Sequence, residues 1–320
     1  MAASQRDVRS KISSVKNIQK ITRAMEMVAA ARLRRAEQRI AALRPYANAI
    51  RRMTRQAAQA AGTSEAARVP LLAEHESTTN VAVLLVTGDR GLAGAFNSQI
   101  IRAGVRIAGE LSQEGLRGSW YATGRRGVSS LGFRGYELAG SYVGFADRPA
   151  YADARTIADD LITAYVDGHI DRVELIYNAY ISPLSQVVSR ETLLPLSQAT
   201  VTGEAEGPGE GEARDAAGSR VPGSDTEGSD ADAPQALVEY EPDPEAILKR
   251  LVPDYVEISI YRALVESAAG FFGAQMTAMR SASENAGEII TDLTLQMNRA
   301  RQAEITQEIM EVVAGAEGLR

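Results

Sequence analysis

Apolar positions recur at mixed three- and four-residue steps at both ends of the chain, the period of a helix that buries one stripe. The first set is Ile12, Val15, Ile18, Ile21, Met25, Val28, Ala36, Ile40 and Leu43. The second is Tyr261, Val265, Ala268, Phe272, Met279, Ala282, Ala286, Ile289, Leu293 and Ala300. Breakers are scarce in both regions. Residues 1–56 hold no glycine and one proline, Pro45, and residues 254–313 hold no proline and only Gly270, Gly273 and Gly287. At 1.5 Å per residue each helix would reach roughly 80–90 Å, far beyond the ordinary globular helix of about a dozen residues. A helix of that length needs a partner along it. The pattern predicts that each is the other's partner, wound antiparallel as a coiled coil.

Between them the period changes. Asn80–Val86 is a continuous apolar run, the signature of a strand buried on both faces in a parallel sheet. A glycine-bearing turn, Gly88–Gly94, leads into helical spacing over Phe96–Gln113. Short strands are predicted at Ser119–Ala122 and Arg172–Tyr177, with an alternating edge strand at Gln186–Leu194. A helix is predicted over Arg148–Val166, an irregular stretch from Gly124 to Phe145, and a polar connector over Gly62–Ser77. Strand alternating with helix is an α/β layout with a mostly parallel sheet. Asp243, Pro244 and Glu245 together form a helix start: a cap, a first-turn proline and an acid near the positive end.

Charge alters the picture in two places. The net charge of −6 hides a segment, 201–235, with nine acids against Arg214 and Arg220. Rich in Gly, Glu, Asp, Ala and Ser, it is expected to be disordered, because it cannot bury enough surface to offset chain entropy. Residues 1–56 carry fourteen Lys or Arg against Asp7, Glu26 and Glu37, so the first helix is cationic. Nucleic acid is one reading of that charge, but no aromatic platform interleaves with it. A solvated face and an acidic protein partner account for it as well. The absence of cysteine excludes disulfides and thiolate metal sites. No secretory signal core and no uncharged apolar run of roughly 18–20 residues is present, so a soluble protein, or one peripheral to a membrane through a partner, is expected.

Candidate chemistry is sparse. The turn Gly88–Gly94 sits between strand and helix, where phosphates are often cradled, yet its spacing matches neither dinucleotide nor P-loop fingerprints. A tight turn packing helix on sheet is the competing reading and the favoured one. His75 and His169 both fall in polar connectors and read as solvated surface residues, against a metal site or a catalytic triad. Asp89 and Arg90 read as a local turn salt bridge, and Asp159 and Asp160 show no partner in the sequence. No cofactor is expected.

Four stretches nonetheless resemble one family. Arg9-Ser-Lys-Ile with Asn17–Ala30 is similar to the N-terminal helix of the gamma subunit of F-type ATP synthases. Gly88-Asp-Arg-Gly-Leu-Ala-Gly-Ala-Phe-Asn97 resembles its central motif, with Ala93 and Ala95 in place of the usual Cys and Gly. Tyr240–Pro244 resembles the re-entry into its last helix. Asn285-Ala-Gly-Glu, Asn298–Ile309 and Val313–Ala316 resemble its C-terminal signature. The resemblance implies an antiparallel coiled coil plus a central Rossmann-like parallel-sheet domain. The expected division is 1–60 and 237–320 for the paired helices, 78–200 for the α/β domain and 201–236 for an acidic insertion. It implies a central rotor shaft that couples proton flow to ATP synthesis without being catalytic itself. One copy would stand among three alpha and three beta subunits, beside epsilon and a membrane ring of c subunits, on the cytoplasmic face of a bacterial cell membrane. By the same resemblance Met25, Arg301, Gln302, Thr306 and Glu308 would meet beta, and Tyr240 and Glu241 would lie near the rotor ring. Gln275 departs from the arginine common at its place in the family. The competing readings are an α/β small-molecule-binding protein with coiled-coil extensions, and a nucleic-acid-binding coil.

Overall fold

The computed structural model describes residues 5–66, 69–73, 75, 77–196 and 243–317. In chain order these are α1 (Gln5–Ala66), β1 (Asn80–Val86), α2 (Phe96–Gln113), β2 (Arg117–Thr123), α3 (Arg125–Phe133), β3 (Leu138–Tyr142), α4 (Tyr151–Val166), β4 (Arg172–Ser182), β5 (Ser185–Leu194) and α5 (Pro244–Glu317). The expected α/β class with two long terminal helices is what the chain forms. The acidic insertion, 201–236, lies outside the described residues.

Two differences stand out from the sequence reading. The glycine-bearing stretch after Gly124 is not irregular but holds α3 and β3. Nine- and five-residue elements rich in glycine and serine carry too little apolar periodicity to be read directly. The first helix also continues past Gly62 to Ala66, through a region read as connector. At the other end, the Asp243 carboxylate accepts a hydrogen bond from the Ala246 N–H at 2.7 Å, capping α5 as the sequence predicts.

Two compact units result. Leu33–Gly91 and Ala95–Phe271 make up the larger. Its five-stranded sheet has the order β3-β2-β1-β4-β5, parallel throughout except for the antiparallel pair β4–β5. Central β1 is buried from Val81 to Val86, which explains its unbroken apolar run. Gly104 lets α2 lie directly on it: a Cβ there would come within 2.8 Å of both Leu85 methyl groups. Gly124 turns the chain from β2 into α3 at φ +81, where a Cβ would stand 2.2 Å from the Thr87 carbonyl oxygen. The other face of the sheet buries Ile157, Leu161 and Tyr165 of α4, with Ile50, Ala57, Leu248, Val252 and Val256 of the two long helices in the same core.

The smaller unit comprises Met1–Arg32, Leu92–Gly94 and Phe272–Arg320. In it α1 and α5 run antiparallel. Arg32 lies over the Phe272 ring, 5.6 Å from its centroid, Glu26 meets Arg280 at 2.9 Å, and Gln19 donates to the Ser283 carbonyl at 3.2 Å. Partners on α5 rise in number as those on α1 fall.

Candidate functional site

In open α/β sheets, ligands bind in the crevice beyond the carboxyl ends of the strands, where the strand order reverses. Here that point lies beyond β1 and β4, and it is filled. Leu264, Ser267, Ala268 and Phe271 of α5 pack beside Gly88 and Phe96, leaving a cavity of about 10 Å³, room for one water at most. Phe271 meets Phe96 edge to face at 5.6 Å, and a Cβ on Gly88 would stand 3.0 Å from the Phe271 ring. The Thr87 hydroxyl is committed as well, donating to the Thr123 carbonyl at 2.7 Å and accepting from the Gly127 N–H at 2.8 Å. A phosphate has no space in this crevice.

The motif carboxylate has a different task from the one its neighbour suggests. Asp89 does not pair with Arg90, which instead stands 3.4 Å from Asp147. Its oxygens accept the backbone N–H groups of Arg125, Gly144 and Ala146 at 3.0–3.1 Å, tying the start of α3 to the chain after β3. These donors lie 36 to 57 residues away, beyond the reach of any local pattern.

His75 likewise departs from the solvated reading, whereas His169 is exposed as expected. His75 is 28% exposed, stacks on Tyr165 and holds Asp171 at 2.8 Å through Nδ1. Asp171 also accepts from the Thr79 and Asn80 backbone N–H groups at 2.8 Å and from the Thr79 hydroxyl at 3.0 Å. Burial pushes the Asp171 carboxyl up, but these hydrogen bonds outweigh it and hold the group well below the usual carboxylate range. Asp160, without a partner in the sequence, accepts from the Tyr142 hydroxyl at 2.6 Å. On α5, Arg262 meets Glu191 at 2.6 Å, and Tyr177 donates to the other Glu191 oxygen at 2.6 Å. Burial drives the Tyr177 hydroxyl pKa up, and Glu191 adds to it. Each ties one part of the sheet unit to another. Among the described residues no group of three or more metal-ligating side chains gathers.

The free chemistry lies on the paired helices. The inward stripe of α1 in the smaller unit is Val8, Ile12, Val15, Gln19, Thr22, Glu26 and Ala29, with Val15, Gln19 and Glu26 partly and the others fully buried. Three- and four-residue steps alternate along it, the heptad seam of a coiled coil. Of the apolar set expected to form that seam, Ile12 and Val15 are on it and Ala36 and Ile40 are buried, but the middle is displaced by one residue: Ile18, Ile21 and Val28 are all more than half exposed, and Met25 is half-buried. On α5, Ile289 is likewise turned outward, with Ile290 half-buried in its place. One residue is about 100° of helix rotation, enough to move a side chain from the seam to the flank.

Beyond Ala300 the pairing ends. Residues 301–314 are exposed at every position, so Arg301, Gln302, Thr306 and Glu308 share one uncovered stretch of α5. Thr306 turns its hydroxyl back to the Gln302 carbonyl at 2.8 Å. Ile305, Ile309, Val312 and Val313, spaced along one side of the helix, are 45–72% exposed. An apolar stripe that no described residue covers fits a surface for another protein. Met25 is not part of this stretch; it sits on the outer flank of α1. Tyr240 and Glu241 lie outside the described residues.

Comparison with known proteins identifies the family of the chain. A family model described as ATP synthase matches residues 4–319. An ATP synthase gamma chain from Rubrobacter xylanophilus is 42% identical over 317 residues, covering 99% of both chains. The chain belongs to the ATP synthase gamma-chain family. A gamma chain from Streptomyces avermitilis is 40% identical, covering 100% of this chain and 97% of its own. Among solved structures, a chain of the Euglena gracilis mitochondrial ATP synthase, in an assembly described as OSCP/F1/c-ring in rotational state 3, aligns with a TM-score of 0.63. It covers 98% of this chain and 94% of that one at 15% identity, a likeness of fold. For a gamma-chain relative, the closed crevice and the uncovered helix end are one statement: the sheet is packed shut, and what remains available is surface. No described helix is long and apolar enough to cross a membrane. The sequence missed the polar seam residues Gln19, Thr22 and Glu26. Their strict heptad spacing with Ile12, Val15 and Ala29 was the available signal.

Proposed function

We propose that this chain is the central rotor shaft of an F-type ATP synthase, turning with the membrane ring and driving the beta subunits through their conformational cycle. The observation that carries the reading is the helix end at 301–314, which exposes both charge and an apolar stripe while the α/β crevice is closed. The shaft supplies no reacting group. It acts because each orientation touches the three beta subunits differently, and only a difference in contact free energy can shift their states.

In this reading residues 1–60 and 237–320 form the shaft and 78–200 the α/β domain, with 201–236 inserted between that domain and the last helix. One copy stands among three alpha and three beta subunits, with epsilon and the c ring as its other partners, at the cytoplasmic face of the bacterial membrane. Arg301 and Gln302 engage a beta loop, with Thr306 and Glu308 in the same contact. Met25, half-buried and flanked by exposed Arg23, meets an acidic beta segment. A thioether there slides past carboxylates, where an ammonium group would form an ion pair that resists turning. Tyr240 and Glu241 approach the polar loops of the ring. Affinity purification of the tagged chain tests the reading: it recovers alpha and beta at three each per chain, and recovery of the chain alone, or of nucleic acid, refutes it.

A further inference from the structure

Two buried hydroxyl residues border the closed crevice of the larger unit. Thr123, at the end of β2, is fully buried, and its Oγ1 meets no hydrogen-bond partner among the described residues. Ser267 of α5 is buried as well; its Oγ accepts the Asn178 N–H at 3.4 Å and donates to no described residue. Both line the cavity of about 10 Å³ that Leu264 and Phe271 help to close. A buried hydroxyl without a partner is rare in native proteins and calls for one. The polar groups around this cavity are engaged elsewhere. The Thr87 hydroxyl serves the Thr123 carbonyl and the Gly127 N–H. The Gly88 N–H goes to Asn97 at 2.8 Å, and its carbonyl accepts the Arg126 N–H at 3.2 Å. Asp147, the one charged residue on the wall, stands 3.4 Å from Arg90.

We propose that this cavity is a binding site for one structural water, which bridges the Thr123 and Ser267 hydroxyls and so hydrogen-bonds β2 to α5 across the crevice. The volume is that of about one water-sized sphere, the lower limit for holding a water and too small for any larger ligand. Apolar cavities stay dry, but two hydroxyls supply the polar partners a buried water requires. A bare ion would lose its hydration shell and gain only neutral hydroxyls in return. Closure of the crevice is then more than apolar packing. Leu264 and Phe271 exclude bulk solvent, and the single water satisfies the groups that exclusion would otherwise strand.

The inference does not rest on the rotor reading and is tested on the full-length chain by urea unfolding, followed by the fluorescence of Trp120. Thr123→Val keeps the side-chain shape and exchanges the hydroxyl for a methyl group. With the water in place it breaks a made hydrogen bond, and the folding equilibrium constant falls about fivefold, the worth of one ordinary bond. Were the hydroxyl a true orphan, the same change would remove an unsatisfied group and raise the midpoint. Ser267→Ala also lowers the midpoint. Combined, the two substitutions cost less than the sum of the single effects, because either one breaks the same bridge. A high-resolution crystal structure of the chain shows one ordered water within hydrogen-bonding distance of both hydroxyls. A midpoint raised or unmoved by Thr123→Val, single effects that add, or a dry cavity in the crystal overturns the proposal.

Discussion

Asp171 is the side chain whose removal should cost the larger unit most for its size. Asp171→Ala takes one buried carboxylate away from four donors: the backbone N–H groups of Thr79 and Asn80, the Thr79 hydroxyl and His75. Each hydrogen bond to a charged group contributes about 1.5–3 kcal/mol, and a stranded buried donor costs about 1–3 kcal/mol. Thr79 is exposed, so its two donors turn to water and recover most of their share. What remains is the loss at Asn80 and His75, about 3–6 kcal/mol in all at that rate, with the lower end expected because His75 is partly exposed. The assay is urea unfolding followed by the fluorescence of Trp120, the only tryptophan, which is buried in β2 of the same sheet. The sign of the pH dependence follows from the lowered pKa. Asp171 supplies its stability in full above the unfolded carboxyl value of 3.8 and loses it as pH falls below that value toward the depressed folded one. The wild-type midpoint therefore drops over that acid range more steeply than that of Asp171→Asn, which has no charge to lose. A change below about 0.5 kcal/mol, the scatter of an ordinary surface substitution, or parallel pH profiles, would refute the argument.

Further outcomes follow from the same geometry. Gly124→Ala forces a Cβ against the Thr87 carbonyl at a positive φ and destabilises the sheet unit by several kcal/mol, on the order expected for strain plus a backbone clash; wild-type urea resistance would contradict it. Arg301→Ala, at a fully solvated position, leaves unfolding unchanged but lowers ATP hydrolysis of the assembled enzyme about tenfold, the loss of one strong charged contact. Met25→Lys lowers ATP synthesis more than hydrolysis, and an unchanged ratio of the two argues against contact with an acidic partner. Asp89→Ala frees three backbone N–H groups and exposes the α3 region to limited proteolysis, whereas Arg90→Ala does not.

By itself the sequence determined the elements whose signal is local and repeated. The two long helices follow from their period and the near absence of breakers, β1 from its unbroken apolar run, and the α5 start from Asp243 and Pro244. The gamma-chain resemblance was legible too, because its motifs are contiguous. Tertiary structure decided what depends on phase and on distant partners. Periodicity fixes the spacing of a stripe but not which of two adjacent stripes turns inward. On α1 the more apolar one, through Ile18 and Ile21, lost the seam to Gln19, Thr22 and Glu26; Gln19 and Glu26 find partners on a helix some 260 residues away in sequence, and Thr22 bonds back to the Gln19 carbonyl. Asp89 and His75 looked like loop residues because their partners lie far along the chain. The Gly88 turn could have held a phosphate until α5 placed Phe271 and Leu264 in its crevice. Steric exclusion of that kind belongs to packing, and no local pattern carries it.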